Sequence, residues 1–318
     1  MQKKIIDRIT KESQIPNLLE ILSDKISLSD LQSLLLEVFR SKVKTIESKD
    51  LFKQYKENRF VKPSLINPQD ILEFDQLAYS IFPDEYEKIE LSPVCPIGIN
   101  SVLAPVDQNN IVTTIRNTEV TADSTIVLSL ECALRRKEII KNKSEINQKV
   151  KLCASHRLLR AQPFDEPAAF PHFRIFSLCT AGRDEGSFKF EINSLSEHID
   201  FYLTLIKKYE KSNRKIKDLR ILIKASSQTS HSKMQSLDLE KFLKIYPDIK
   251  FNIEKSQDRI WNYYSNLRFQ IYIKDNSGEE YLIVDGGDTN WTQQLLSNRK
   301  ERLMTSGMGS ERFLYCFK

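Results

Sequence analysis

The sequence predicts an α+β protein in which a small helical N-terminal region precedes an antiparallel sheet flanked by helices. Three observations carry this. Residues 1–59 hold apolar side chains at helical spacing. The segment Leu267-Arg-Phe-Gln-Ile-Tyr-Ile273 alternates as a strand, turns at Asp275-Asn-Ser-Gly278 and returns as Glu280-Tyr-Leu-Ile-Val-Asp285, a β-hairpin. A second strand pair, Lys151–Gln162 and His172–Cys179, is joined by a Pro-rich loop, Pro163–Pro171.

In the N-terminal region, Ile15–Leu22 has helical periodicity, and Ser27 opens an amphipathic helix through Phe39. Phe60–Pro68 is a Pro-containing connection, followed by a helix over Asp70–Tyr79 and a strand over Tyr86–Pro93. These features divide the chain into a helical region, 1–82, and a core, 83–318. Asn110–Thr121 is β-branched and reads as a strand interrupted by Arg116 and Glu119. A helix follows, capped by Asp123 or Ser124. Ala181–Gly186 is a turn. Ser194 and Glu197 have capping-box spacing at the head of a helix to Ile206, with His198 on its surface. A strand over Leu219–Ala225 and a helix over Leu237–Ile245 complete the pattern before the C-terminal hairpin.

Composition excludes several classes. Hydrophobic residues at 40% and charged residues at 29% describe a globular chain. No apolar run reaches the roughly 20 residues of a membrane helix, and no secretory signal follows Met1, so a cytoplasmic protein without a membrane partner is expected. Five widely spaced cysteines predict buried thiols in place of a disulfide framework or zinc site. The charge of +5 concentrates in Arg135–Lys143 and Lys207–Lys217, runs that read as solvated helix faces and linkers. None of the four histidines has metal-ligand spacing.

The C-terminal stretch points to a ligand. Gly307-Met-Gly309 leads to Arg312 and then the apolar run Phe313–Phe317. A short helix with an arginine near its start offers free N–H groups and a fixed cation, which suits a phosphate.

The order Arg259-Ile-Trp-Asn-Tyr-Tyr264, strand, Gly286-Gly287, then Met308-Gly-Ser-Glu-Arg312 resembles the class II aminoacyl-tRNA synthetase catalytic domain, histidyl-tRNA synthetase most closely. There the pieces read Arg-Gly-Leu-Asp-Tyr-Tyr, Gly-Gly-Arg-Tyr-Asp and Met-Gly-Leu-Glu-Arg-Leu. The resemblance spans roughly residues 85–318. It implies ATP and Mg²⁺ as cofactors and a homodimer formed through the helix–strand–Pro93 motif. Arg160, with Arg157 as the alternative register, would bind the α-phosphate, Phe176 would stack on adenine, and Arg312 would hold the γ-phosphate. Arg259 would balance charge on the α-phosphate. Glu119, Thr121, Arg183, Tyr263, Tyr264, Gly286 and Gly287 would form the amino-acid pocket. Gln162 and Gln270 stand where the family has glutamates and mark the neighbourhood of magnesium.

Six residues follow Arg312, so the resemblance implies a free-standing paralogue without an anticodon-binding domain. Two functions follow from it. One is ATP-dependent activation of an amino acid or related carboxylate as an acyl-adenylate, passed to a small-molecule, protein or RNA acceptor, with no DNA partner. The other is an amino-acid-sensing regulatory subunit, like the histidyl-synthetase-like subunit of ATP phosphoribosyltransferase.

Overall fold

The computed structural model describes residues 2–142, 145–162, 170–210, 216–234, 237–255 and 263–317. The chain forms two compact units, Met1–Lys62 with Thr113–Glu119, and Pro63–Val112 with Val120–Lys318.

The smaller unit contains helices α1 (Gln2–Ser13), α2 (Leu28–Val43) and α3 (Ser48–Glu57). The serine start signal is borne out: Ser27 Oγ caps α2 by accepting the Asp30 N–H at 3.1 Å. Of the helix expected over Ile15–Leu22, Leu18–Glu20 is α-helical and runs into a π turn, Ile21–Lys25. The strand expected over Asn110–Thr121 shrinks to Thr118–Val120, because Arg116 and Asn117 take left-handed φ of 66° and 56°. Gln32 holds that bend: its amide donates to Asn117 Oδ1 and accepts the Asn117 N–H, both at 2.8 Å.

The larger unit starts earlier than the boundary at residue 82 expected from the sequence. Helix α4 (Pro68–Ser80) buries Ile71, Phe74 and Ala78 in the larger unit's core. The main sheet has eight strands: β1 (Tyr86–Lys88), β2 (Val150–Leu159), β3 (His172–Arg183), β4 (Asp218–Ala225), β5 (Lys250–Lys255), β6 (Leu267–Lys274), β7 (Glu280–Thr289) and β8 (Glu301–Gly309). Their spatial order is β1-β2-β3-β8-β7-β6-β4-β5. The two outermost pairs are parallel and every inner pair is antiparallel, which confirms the expected sheet. The strand expected over Tyr86–Pro93 stops at Lys88, and β3 continues through Ala181 to Arg183 before the turn.

One sheet face is covered by α4, by α6 (Lys189–Tyr209) and by the C-terminal helix. Here Phe74, Phe176, Leu195, Tyr202, Phe269 and Phe313 pack together. The other face is partly covered by α5 (Ser124–Lys141), which places Ile126, Leu128 and Cys132 over Leu152, Ala154 and Cys179. Helix α7 (Leu239–Ile245) is capped by Asp238. The chain ends in α8 (Trp291–Leu296) and α9 (Ser310–Tyr315). All five cysteines are buried and free, as expected.

Helix α6 differs from its sequence reading. It begins at Lys189, so Ser194 lies inside it and is fully buried. His198 is fully buried too, one turn from Ser194 and Tyr202 on the face that meets the sheet. Its Nε2 pairs with Thr180 Oγ1 at 3.0 Å and its Nδ1 with Ser306 Oγ at 2.8 Å. Burial pushes its pKa down to about 3. The imidazole is therefore neutral in the fold, and unfolded chains bind a proton below pH ~6.5 that the native state refuses. Stability is expected to fall as pH drops from 6.5 towards 3, by up to about 1.4 kcal/mol per pH unit from this group. Urea unfolding at pH 7.5 and 5.5 checks it: His198→Gln should flatten that slope, and an unchanged slope would remove the assignment.

Candidate functional site

On the α5 side of the sheet, beyond the end of that helix, lies a cavity of 510 Å³. Its floor is formed by β3, β8 and β7 through Ile175, Gly307, Gly309 and Asp285, and its walls include Asp123, Arg160, Phe173, Tyr263, Tyr264 and Arg312. Two glycines shape it by close approach. A Cβ on Gly307 would stand 2.8 Å from Ile175, and one on Gly287 would stand 2.3 Å from the Leu267 carbonyl and 2.6 Å from the Tyr264 ring. The glycine pair thus admits Tyr264 on one face of β7 and Phe269 on the other, against Gly286.

Arg160 follows the last residue of β2. Its Nε donates to the Ala122 carbonyl at 2.9 Å, its guanidinium lies 5.2 Å from the Phe173 ring centre, and Nη2 reaches Asp123 Oδ2 at 3.4 Å. Asp123 is at the same time the cap of α5, its Oδ1 accepting the Thr125 N–H at 2.9 Å and the Thr125 hydroxyl at 2.7 Å. Tyr263 donates its hydroxyl to Asp123 Oδ2 at 2.8 Å and stands edge-on to Trp291. Burial and the Asp123 charge push the Tyr263 pKa well above its ordinary value, so this hydroxyl keeps its proton.

Across the cavity, Arg268 donates from Nε and Nη2 to both oxygens of Asp285, at 2.9 and 2.8 Å. Burial raises the Asp285 pKa against the pull of that guanidinium. A β-bulge between Ile271 and Tyr272 sets this pair, because it shifts the register so that Asp285 opposes Gln270 and shares a sheet face with Arg268. Arg312, in the first turn of α9, donates to the Leu282 carbonyl at 3.3 Å. Among the described residues, Lys224 and Arg174 bring the lining to five cationic side chains, Arg160, Arg174, Lys224, Arg268 and Arg312, against two carboxylates, Asp123 and Asp285. Arg174 is balanced by Asp75 at 3.1 Å.

Of the residues singled out in the sequence, Arg160, Arg312, Gln162, Tyr263 and Tyr264 meet at this cavity. Arg259 lies outside the described residues. Phe176 is corrected: it is fully buried on the opposite sheet face, stacked with Phe82 and Phe201, and Phe173 supplies the ring beside Arg160. Positions 173 and 176 differ by an odd number in a strand, so they point to opposite faces. Glu119 and Thr121 are buried outside the cavity lining, and Thr121 donates its hydroxyl to the Ser92 carbonyl at 3.2 Å. Arg183 ends β3 away from the lining, while Asp184 accepts the Gly186 N–H at 2.8 Å and caps the turn. Gly286 and Gly287 sit behind the two aromatic rings, outside the lining. Arg157 pairs with Glu311 and His172, also outside it.

Gln162 lines the cavity; Gln270 faces the same side of the sheet but is buried beside it. Among the described residues no cluster of three or more His, Cys, Asp or Glu could cage a metal. Magnesium delivered by a nucleotide needs only one or two carboxylates besides phosphate oxygens. The lining holds the Asp285 carboxylate, both of whose oxygens accept from Arg268, and the neutral amide of Gln162.

No family model matches the sequence, and no curated protein matches it. Solved structures do match. The larger unit's sheet and its helices form a class II synthetase-type fold. Apo histidyl-tRNA synthetase from S. aureus superposes with a TM-score of 0.53 at 15% identity, covering 80% of this chain and 68% of that one. A Bacillus halodurans protein described as an ATP phosphoribosyltransferase regulatory subunit/histidyl-tRNA synthetase gives 0.56 at 10% identity, over 82% of this chain and 83% of that one. The RNA-binding domain of threonyl-tRNA synthetase from Cryptosporidium parvum gives 0.54 at 10% identity, over 78% and 63%. Among the described residues no helix is long and apolar enough to cross a membrane.

Proposed function

We propose that the protein activates an amino acid, or a related carboxylate, with ATP to form an acyl-adenylate that passes to a protein, RNA or small-molecule acceptor, and that it works as a homodimer. The observation that carries this is the cation-rich cavity with Arg160 beside the Phe173 ring at one wall and Arg312 at another. Adenine would lie near Phe173, Arg160 would orient the α-phosphate, and Arg312 would hold the γ-phosphate. The substrate carboxylate oxygen would attack the α-phosphorus as the bond to the bridging oxygen breaks and pyrophosphate leaves. Fixed guanidinium groups stabilise charge that shifts between phosphate oxygens, so the protein supplies position and field and no nucleophile. Magnesium bound at Gln162 and Asp285 would neutralise the triphosphate when it arrives.

A second reading, a regulatory subunit that senses an amino acid, draws on one observation. Asp285 is tied up by two hydrogen bonds from Arg268, and Gln162 is a neutral amide, so the cavity's pull on a metal ion is weakened. Amino-acid-dependent ATP–pyrophosphate exchange, run over all twenty amino acids with histidine first, separates the two. Exchange with one amino acid is the expected result and names the substrate. No exchange, with an amino acid still raising the melting temperature, selects the regulatory reading.

A further inference from the structure

The helices of the smaller unit hide almost nothing of their apolar surface. Among residues 3–62 no apolar side chain is buried; Gln32 alone is. Seventeen of the 23 large apolar side chains exposed among the described residues belong to this stretch. Helices α1, α2 and α3 scarcely touch one another, so they do not cover each other's faces. Two of them repeat one pattern. Ile5, Ile6 and Ile9 make an exposed face on α1, and Leu51, Phe52 and Tyr55 make the same i, i+1, i+4 face on α3. Cations edge both faces. Helical spacing puts Lys3 and Arg8 at the two borders of the α1 face and Lys49, Lys53 and Lys56 along one border of the α3 face. The Lys56 ammonium stands 4.4 Å from the Phe52 ring centre, and that of Lys62 stands 4.9 Å from the Tyr55 ring centre. Residues 1–62 carry thirteen Lys and Arg against nine Asp and Glu, so +4 of the chain's +5 lies here.

We propose that α1 and α3 lie in the headgroup layer of an anionic lipid bilayer and hold the protein on a membrane surface. Helices of 12, 16 and 10 residues that scarcely pack on one another are marginal in water, and apolar faces left open on them mark a surface that something covers. Charge selects what covers them. A second copy brings the same +4 and is repelled, whereas lipid phosphates attract it. Shape agrees, because a folded partner offers one rigid wall while lipid receives each separate helix on its own. At ~1.5 Å per residue α1 is about 18 Å long, short of a ~30 Å hydrocarbon core, so it lies along the surface with its isoleucines down and its cations at the phosphates. The expectation of no membrane partner rests on the lack of a spanning run, and a helix lying flat needs none. This surface is independent of the adenylate reading.

Co-sedimentation of the full chain with vesicles tests this, using phosphatidylcholine alone and phosphatidylcholine with about one-third phosphatidylglycerol. The wild type should bind the anionic vesicles at least ~10-fold more tightly at about 0.1 M NaCl, and the preference should vanish near 1 M, where the screening length falls to ~3 Å. Two variants separate the apolar from the ionic part. Ile9→Gln with Phe52→Gln removes apolar contact, and Lys49→Gln with Lys53→Gln and Lys56→Gln removes charge; all five positions are exposed, so circular dichroism should match the wild type. Each variant should lose at least ~10-fold in affinity for the anionic vesicles. Equal wild-type binding to both vesicles overturns the proposal, as does a glutamine variant of Ile9 and Phe52 that sediments like the wild type. Failure to bind either vesicle, with a molar mass in light scattering that drops in the Ile9→Gln, Phe52→Gln variant, also overturns it and assigns these faces to a second copy.

Discussion

Replacing Glu301 with alanine is expected to lower the unfolding free energy by about 3–5 kcal/mol, since it strands a buried guanidinium. Arg136 and Glu301 are both fully buried, on α5 and β8. Arg136 Nε donates to Glu301 Oε2 at 2.7 Å and Nη2 to Oε1 at 3.0 Å, and its remaining donors reach the carbonyls of Ile146 and Gln148. Removing the carboxylate leaves a cation with backbone dipoles and no counter-charge. For a unit of this size the melting temperature should drop on the order of 10 °C. The double variant Arg136→Met with Glu301→Leu should recover much of that loss, because the charge is gone with its partner. A single-variant loss under about 1 kcal/mol in urea titrations would mean that water reaches Arg136.

The second large effect concerns the cavity. Arg160→Ala and Arg312→Ala should each weaken ATP binding by about 10- to 150-fold, the loss of a charge-assisted contact of roughly 1.5–3 kcal/mol. Arg183→Ala serves as the control, because Arg183 stands away from the lining; its ATP affinity should match the wild type. Calorimetric titration decides. Unchanged affinity in both cavity variants would sink the nucleotide assignment at once, whatever the stability of the proteins.

Much of this was legible in the sequence. The C-terminal hairpin followed from alternation and its Asp-Asn-Ser-Gly turn, and Ser27 and Asp123 cap helices as their residue types dictate. Arg160 and Arg312 were found because each stands at the end of a strand or the start of a helix, where motif order fixes its place. What failed was side-chain direction. His172-Phe-Arg-Ile-Phe176 has no clean alternation, so nothing in the string says which phenylalanine faces the cavity, and the register alone selects Phe173. His198 reads as a surface residue from the amphipathic pattern, but α6 is buried on both the Ser194–Tyr202 stripe and the Leu195–Ile199 stripe, leaving little of it to solvent. The Arg268–Asp285 pair is hidden in the sequence by the hairpin register. Without the bulge the hairpin register would set Asp285 opposite Phe269, on the wrong face, and no local signal announces a bulge there.

The bend held by Gln32 on Asn117 has a consequence for where this chain can be cut. The larger unit surrenders its chain at Val112 and takes it back at Val120, three residues before Asp123. The chain therefore passes between the two units three times, after Lys62, Val112 and Glu119. A protease or a deletion that removes residues 1–62 takes away Gln32 and leaves the Arg116–Asn117 bend, with its left-handed backbone, to hold itself. A loop so released is tethered directly to the cap of α5, so truncation at Lys62 should be judged by what it does to Asp123.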